Sequence, residues 1–186
     1  MDKYKVIHAI TKAYSVFQRG LDLVPPVGNY LNIESTNDIK KADFILSFGA
    51  KKHKIIDGKK NNRDCFFEFD GEGRVLAHVP SNDKFGIHFD EDEDWTKQFL
   101  IDVATHEIGH TFFMGHTSEN PRAVMRTHHD GNPMVWTQDD QNSYNHSMRV
   151  AKPLAKQMSE NALVVGEVKP LGICEKAKLA YQIMTT

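Results

Sequence analysis

The chain has 186 residues, a length that suits one domain and suffices for a hydrophobic core. Its 23 Lys and Arg against 25 Asp and Glu leave a formal net charge of -2, so there is no electrostatic case for nucleic-acid binding. Only two cysteines are present, Cys65 and Cys174, which excludes a disulfide scaffold; each is expected as a reduced, buried thiol. The opening MDKYKVIHAITKAYSVF does not read as a signal peptide, because lysines and a histidine interrupt its apolar residues and no small-residue cleavage site follows. No stretch is long and apolar enough for a membrane segment.

In chain order, residues 3–19 predict an amphipathic helix: Val6, Ile10, Ala13, Tyr14 and Phe17 recur at helical spacing, and Gly20 is read as its end. LVPPVG (23–28) is a turn or loop, and Tyr30, Leu31 and Ile33 suggest a strand. DFILSF (43–48) suits a buried strand, and the lysine-rich stretch 51–64 reads as a polar loop. FDGEGRVLAHVP (69–80) combines turn chemistry with a strand, with Val75, Ala77 and Val79 on one face and Leu76 and His78 on the other. FGIHF (85–89) is a further short strand. A helix is predicted over 95–112, then a loop, then a helix over 138–148 that Thr137 can cap, with Asp139 and Asp140 in its first turn. Helix, strands, helix, loop, helix is an α+β order, with a cleft expected beside the second helix. From residue 150 the composition shifts, so 1–149 is read as the domain and 150–186 as a C-terminal extension of unknown role.

The chemistry is concentrated in HEIGHTFFMGH (106–116). His106 and His110 are four residues apart, so on a helix they project from one face. His116 can close a three-nitrogen metal site if the helix ends and the chain turns back. Glu107 follows the first histidine and can reach a water on the metal. Three protein ligands with an open fourth position is the pattern of a hydrolytic zinc site. His128 and His129 are read as loop surface.

Four further segments carry a resemblance. ADFILSFGAKKH (42–53), FDGEGRVLAHV (69–79), IHFDEDEDWT (87–96) and VATHEIGHTFFMGHTSENPRAVM (103–125) resemble, in order, the catalytic domain of matrixins, the matrix metalloproteinases of the metzincin clan. WTQDDQNSY (136–144) looks like that family's last helix. The resemblance implies a zincin-like fold, a twisted, mixed, mainly parallel sheet of four to five strands with three helices. The match starts at the family's first helix, so the family's first strand and its propeptide are not expected within this sequence.

By resemblance the activity is that of a zinc-dependent metalloendopeptidase on extended, extracellular-matrix-type proteins, through Glu-assisted attack of zinc-bound water. His106, His110 and His116 match the catalytic zinc (Zn2+) ligands, Glu107 the general base, and Met125 the Met-turn beneath the metal. His53, His78 and His88 match three ligands of a structural zinc; the loop after His53 is longer than the family's, leaving Asp64 or, alternatively, Asp57 as the fourth. Asp70, Gly71, Asp90 and Glu93 match a calcium (Ca2+) site. Substrate is expected along the strand edge at Leu76 and Ala77, with the adjoining pocket bounded by 126–137. A monomer and an extracellular location are implied by the family.

One departure bears on catalysis. The family has Gly three residues after the second histidine; here Phe113 stands there and Gly115 precedes His116. Either the helix turns later, at Gly115, or Phe113 takes a strained conformation. Loss of this geometry would leave a catalytically impaired metzincin acting as a protein- or peptide-binding module.

Overall fold

The structure is a computed structural model that describes residues 3–24, 45–56, 63–80, 86–117 and 120–149. The predicted strand at 30–33, the candidate ligand Asp57 and the extension 150–186 lie outside the described residues.

Helix α1 spans Lys3–Leu21 and buries the stripe read from the sequence, with Val6, Ile10, Ala13, Tyr14 and Phe17 all in the core. Gly20 does not end it. The helix runs on to Leu21, and a Cβ at Gly20 would lie 2.2 Å from the Trp136 ring. The glycine is there for that close approach. Phe17 then stacks on Phe112 at 5.2 Å and meets Trp136 edge-on at 5.0 Å, tying α1 to the end of the second helix and to the chain just before the third.

Strand β1 (Ile45–Gly49) pairs in parallel with β5 (Gly86–Asp90), and β5 pairs antiparallel with β4 (Ala77–His78). The described part of this sheet is therefore mixed, in the order β1-β5-β4. Its central strand β5 is buried at every position, whereas β4 keeps partial exposure. The stretch 51–64 is not wholly loop. Lys54–Ile55 (β2) and Arg63–Asp64 (β3) form a short antiparallel ladder, in which Ile55 is buried and Lys54 faces outward to Asp64. A lone buried isoleucine among lysines is too weak a pattern to mark a strand.

Helix α2 (Lys97–Thr111) is capped by Thr96, whose hydroxyl accepts from the Phe99 amide at 3.2 Å. It packs on α1 and on β4 and β5. Trp95, just before it, donates its indole N–H to the Asp90 carbonyl and stacks on Phe99. Helix α3 (138–149) begins at a reciprocal cap: the Thr137 amide donates to Asp140 at 2.8 Å, and the Asp140 amide donates to the Thr137 hydroxyl at 3.3 Å. Among the described residues, three helices and a mixed sheet make the fold α+β, as the element order predicts.

Candidate metal centre

The end of α2 decides whether the third histidine can reach the other two. The amide of Met114 donates to the Gly109 carbonyl at 3.1 Å, and that of Phe113 to the His110 carbonyl at 2.9 Å. This is a Schellman ending, with Phe112 as the cap and Phe113 as the left-handed residue after it. Phe113 has φ +60°, the strained one of the two alternatives, and no turn at Gly115 replaces it. The left-handed region costs a Cβ-bearing residue about 1–2 kcal/mol. The ring stays in solvent, 71% exposed, while Ser147 of α3 donates to the Phe113 carbonyl at 2.8 Å. The turn is made despite the residue, held by bonds around it.

His116 is consequently delivered. The Nε2 atoms of His106, His110 and His116 lie 3.1, 3.1 and 3.2 Å from one another. His106 turns its Nδ1 to the Val124 carbonyl at 2.7 Å, and His110 its Nδ1 to the Met114 carbonyl at 2.9 Å. A carbonyl only accepts, so both Nδ1 atoms carry the hydrogen and both Nε2 atoms present lone pairs. Lone pairs aimed at one point repel unless a cation sits between them. A tetrahedral ion with Zn–N of about 2.0–2.1 Å spaces its nitrogens about 3.3–3.4 Å apart, close to what is seen. Burial pushes the His106 imidazole down to about 3, helped by the neighbouring His110. Burial likewise lowers His110 and His116. All three are thereby kept in the neutral form that ligates metal. The residues fit zinc.

Glu107 lies beside this triad with its carboxyl buried, and its Oε2 meets no partner among the described residues. Burial alone raises that carboxyl to about 8; a dication nearby acts in the opposite direction. Met125 is fully buried under the helix, and a Cβ on Gly109 would come within 2.3 Å of its sulfur. Glycine in HEIGH is thus what lets the methionine close up beneath the histidines. The Met125 carbonyl accepts from the Thr117 amide at 2.7 Å, which ties the methionine to the chain just past His116.

Two residues to which the sequence reading gave no role beneath the metal position hold this floor in place. Asp140 is fully buried and accepts from the amides of Val124 and Met125 at 3.1 and 2.9 Å, besides Thr137. Its signal was the spacing T-x-x-D, a capping box that here reaches further than its own helix. Arg126, buried to 4% exposure, donates to the carbonyls of His128, Pro121 and Asn132 and pairs with Asp130 at 3.1 Å. It braces the loop predicted to bound the substrate pocket. His128 is exposed as expected; His129 is not loop surface, for its ring lies edge-on to Phe99 at 5.0 Å and 3.8 Å from Asp102.

A second donor group forms on the sheet itself. His78 and His88 are register partners across β4 and β5, and His53 reaches them, its Nε2 2.9 Å from His88 Nδ1. A Cβ on Gly49 would stand 2.8 Å from that of His53, so the glycine admits the histidine to the strand end. Asp64 does not join them. It sits on the outer face of β3, with an 83% exposed side chain paired to Lys54. The next residue, Cys65, points inward instead, and its sulfur is 3.4 Å from His78 Nε2. Successive strand residues face opposite sides, and the parity of the ladder selects the cysteine.

At the predicted calcium site the carboxylates accept backbone amides of the 70–75 turn. Gly71 donates to Asp90 at 3.3 Å, Gly73 to Glu93 at 2.7 Å and Val75 to Asp70 at 3.3 Å. Gly71 and Gly73 have φ near +88°, which the turn requires. Among the described residues these acids do not gather into a donor set as the two histidine groups do. Burial, followed by the charges of Asp90, Glu72 and Asp70, raises the Glu93 carboxyl against the lowering effect of the Gly73 amide. Leu76 and Ala77 are half-buried, Ala77 on β4 and Leu76 just before it, and β4 is an edge strand of the described sheet.

The matrixin family profile matches residues 1–147. Stromelysin-1 of Equus caballus is 40% identical over 93 residues, covering 46% of this chain and 17% of that protein. Human matrilysin is 44% identical over 85 residues, 40% of this chain and 32% of that protein. Matrix metalloproteinase-C of Caenorhabditis elegans is 32% identical over 136 residues, 67% of this chain and 20% of that protein. The chain thus spans less than a third of the length of these relatives. With the zinc-fitting triad, the Met-turn and a profile match over most of its length, the chain belongs to the matrixin family of peptidases.

Proposed function

We propose that the chain is a zinc-dependent endopeptidase that cleaves extended protein substrates of the extracellular-matrix type. The observation that carries this is the convergence of three Nε2 atoms beside a buried carboxyl with an unpartnered oxygen. His106, His110 and His116 would hold the metal. When bound, zinc lowers the pKa of coordinated water to about 7 and polarises a carbonyl. Glu107 accepts the proton from the attacking water and passes it to the leaving amine. The substrate backbone adds as a strand at the β4 edge, at Leu76 and Ala77. Met125 and Asp140 fix the floor, and the Arg126-braced loop bounds the adjoining pocket.

The same reading assigns calcium to Asp70, Gly71, Asp90 and Glu93, supported by the like charges that the 70–75 turn and the end of β5 bring together. It assigns a second zinc to His53, His78 and His88. Residues 1–149 form the catalytic domain, and the protein acts as a monomer outside the cell, as its family suggests. No helix among the described residues is long and apolar enough to cross a membrane. The binding-module alternative rested in part on Phe113; its strained turn still leaves the three nitrogens within 3.2 Å, which favours catalysis.

The test is hydrolysis of a generic matrixin peptide by the refolded, zinc-loaded chain. Turnover stopped by a chelator and by a hydroxamate supports the proposal. Stoichiometric zinc with no turnover across broad peptide libraries contradicts it.

A further inference from the structure

We propose that Cys65 is a metal ligand, and that the second site of this chain is a closed zinc site of one cysteine and three histidines. The proposal goes beyond the peptidase reading and does not rest on it.

Four donors from separate segments meet here: His53 ahead of β2, Cys65 directly after β3, His78 on β4 and His88 on β5. One ligand atom from each lies within 4.8 Å of all the others. The His53 Nδ1 atom faces the Lys51 carbonyl at 3.0 Å, so it carries the hydrogen, and its Nε2 offers a lone pair to the cluster. The Cys65 amide donates to the His53 carbonyl at 2.9 Å, which fixes the sulfur beside that ring. A tetrahedral zinc with Zn–S of about 2.3 Å and Zn–N of about 2.0–2.1 Å sets sulfur and nitrogen about 3.5 Å apart. The separation of Cys65 Sγ from His78 Nε2 is 3.4 Å.

The surroundings suit a thiolate better than a carboxylate. Phe69 stacks on His53 at 4.5 Å and lies 4.7 Å from His78, and Phe67 lies 5.7 Å from His78. Cys65 is only 7% exposed and His88 2%. A sulfur donor loses less than a carboxylate in leaving water for such walls, and it favours soft or borderline ions over calcium or magnesium. Asp64, one of the two acids that the resemblance offered, stands one residue away, on the wrong face. The chain keeps the site and changes its chemistry. Four ligands leave no open position, so the site staples the chain at His53 and at Cys65 to the sheet.

The test is the absorption spectrum of the full chain loaded with cobalt(II). The parent should bind two ions per chain and show a sulfur-to-cobalt charge-transfer band in the near ultraviolet. Cys65→Ser should lose that band and bind the second ion roughly 100-fold more weakly, since even outer-shell changes at metal sites cost about 10–100-fold. Cys65→Asp supplies another donor and should keep two ions without the band, which guards against a folding failure of the serine variant. Cys174→Ser should keep the band. A parent without a thiolate band, or a band that survives Cys65→Ser, each overturns the proposal; a single bound ion with the band supports it and counts only against the His106, His110 and His116 site. None of these readouts depends on peptide hydrolysis.

Discussion

The two histidine groups are built on opposite principles. The first places two donors on one long helix and brings in the third by a tight turn, with Glu107 beside them and, among the described residues, no fourth protein donor in the group. The second gathers four donors from short strands and loops, and it is closed. An open site on a rigid helix suits chemistry, because a reacting group needs a vacant position and exact placing. A closed site whose His53 and Cys65 flank a ladder of two-residue strands suits stability, because so little ladder cannot hold itself. One metal is thus expected to be worth rate, the other folding free energy.

Substitutions can separate these roles. His110→Ala should bring peptide hydrolysis to background and remove one of two zinc ions, with little change in the thermal midpoint; a large drop in that midpoint would blur the distinction. His88→Ala should do the reverse. It removes a buried ring at the sheet centre together with a ligand, a loss of about 3 kcal/mol or more by denaturant unfolding, while the folded fraction keeps its kcat. Equal loss of kcat per folded molecule would show that the two sites are not independent.

Asp140→Ala probes the floor beneath the open site. It strands the Val124 and Met125 amides in the core, at a cost of about 1–3 kcal/mol for each unsatisfied donor, and should weaken zinc binding through the displaced Val124 carbonyl that orients His106. Unchanged stability would mean that water replaces the carboxylate. The smallest effect is expected at the turn. Phe113→Gly relieves the left-handed strain and should stabilise by about 1 kcal/mol, or about 2–4 °C in the thermal midpoint, with turnover preserved. Destabilisation would mean that the exposed ring contributes packing.

These differences also explain what was legible in the sequence. HEIGHTFFMGH was legible because helical period fixes where His106 and His110 point, whatever the rest of the fold does. Phe113 was legible as a choice between two turns, and only the hydrogen bonds of the helix end select one. The second site was legible in its histidines but not in its fourth donor. On a strand a shift of one residue reverses the face, and the parity of β3 could not be read through the longer loop preceding it. Asp140 and Arg126 were hidden for another reason: their partners are backbone groups, which leave no trace in side-chain pattern.

The central claim is that Glu107 performs the proton transfer at the open site. The most direct measurement is the rate of peptide hydrolysis by Glu107→Ala and by the parent at equal bound zinc. The account predicts the same zinc content and a rate lower by about 10²–10⁴-fold in the variant, the usual worth of a positioned acid–base group. Equal rates at equal zinc would contradict it.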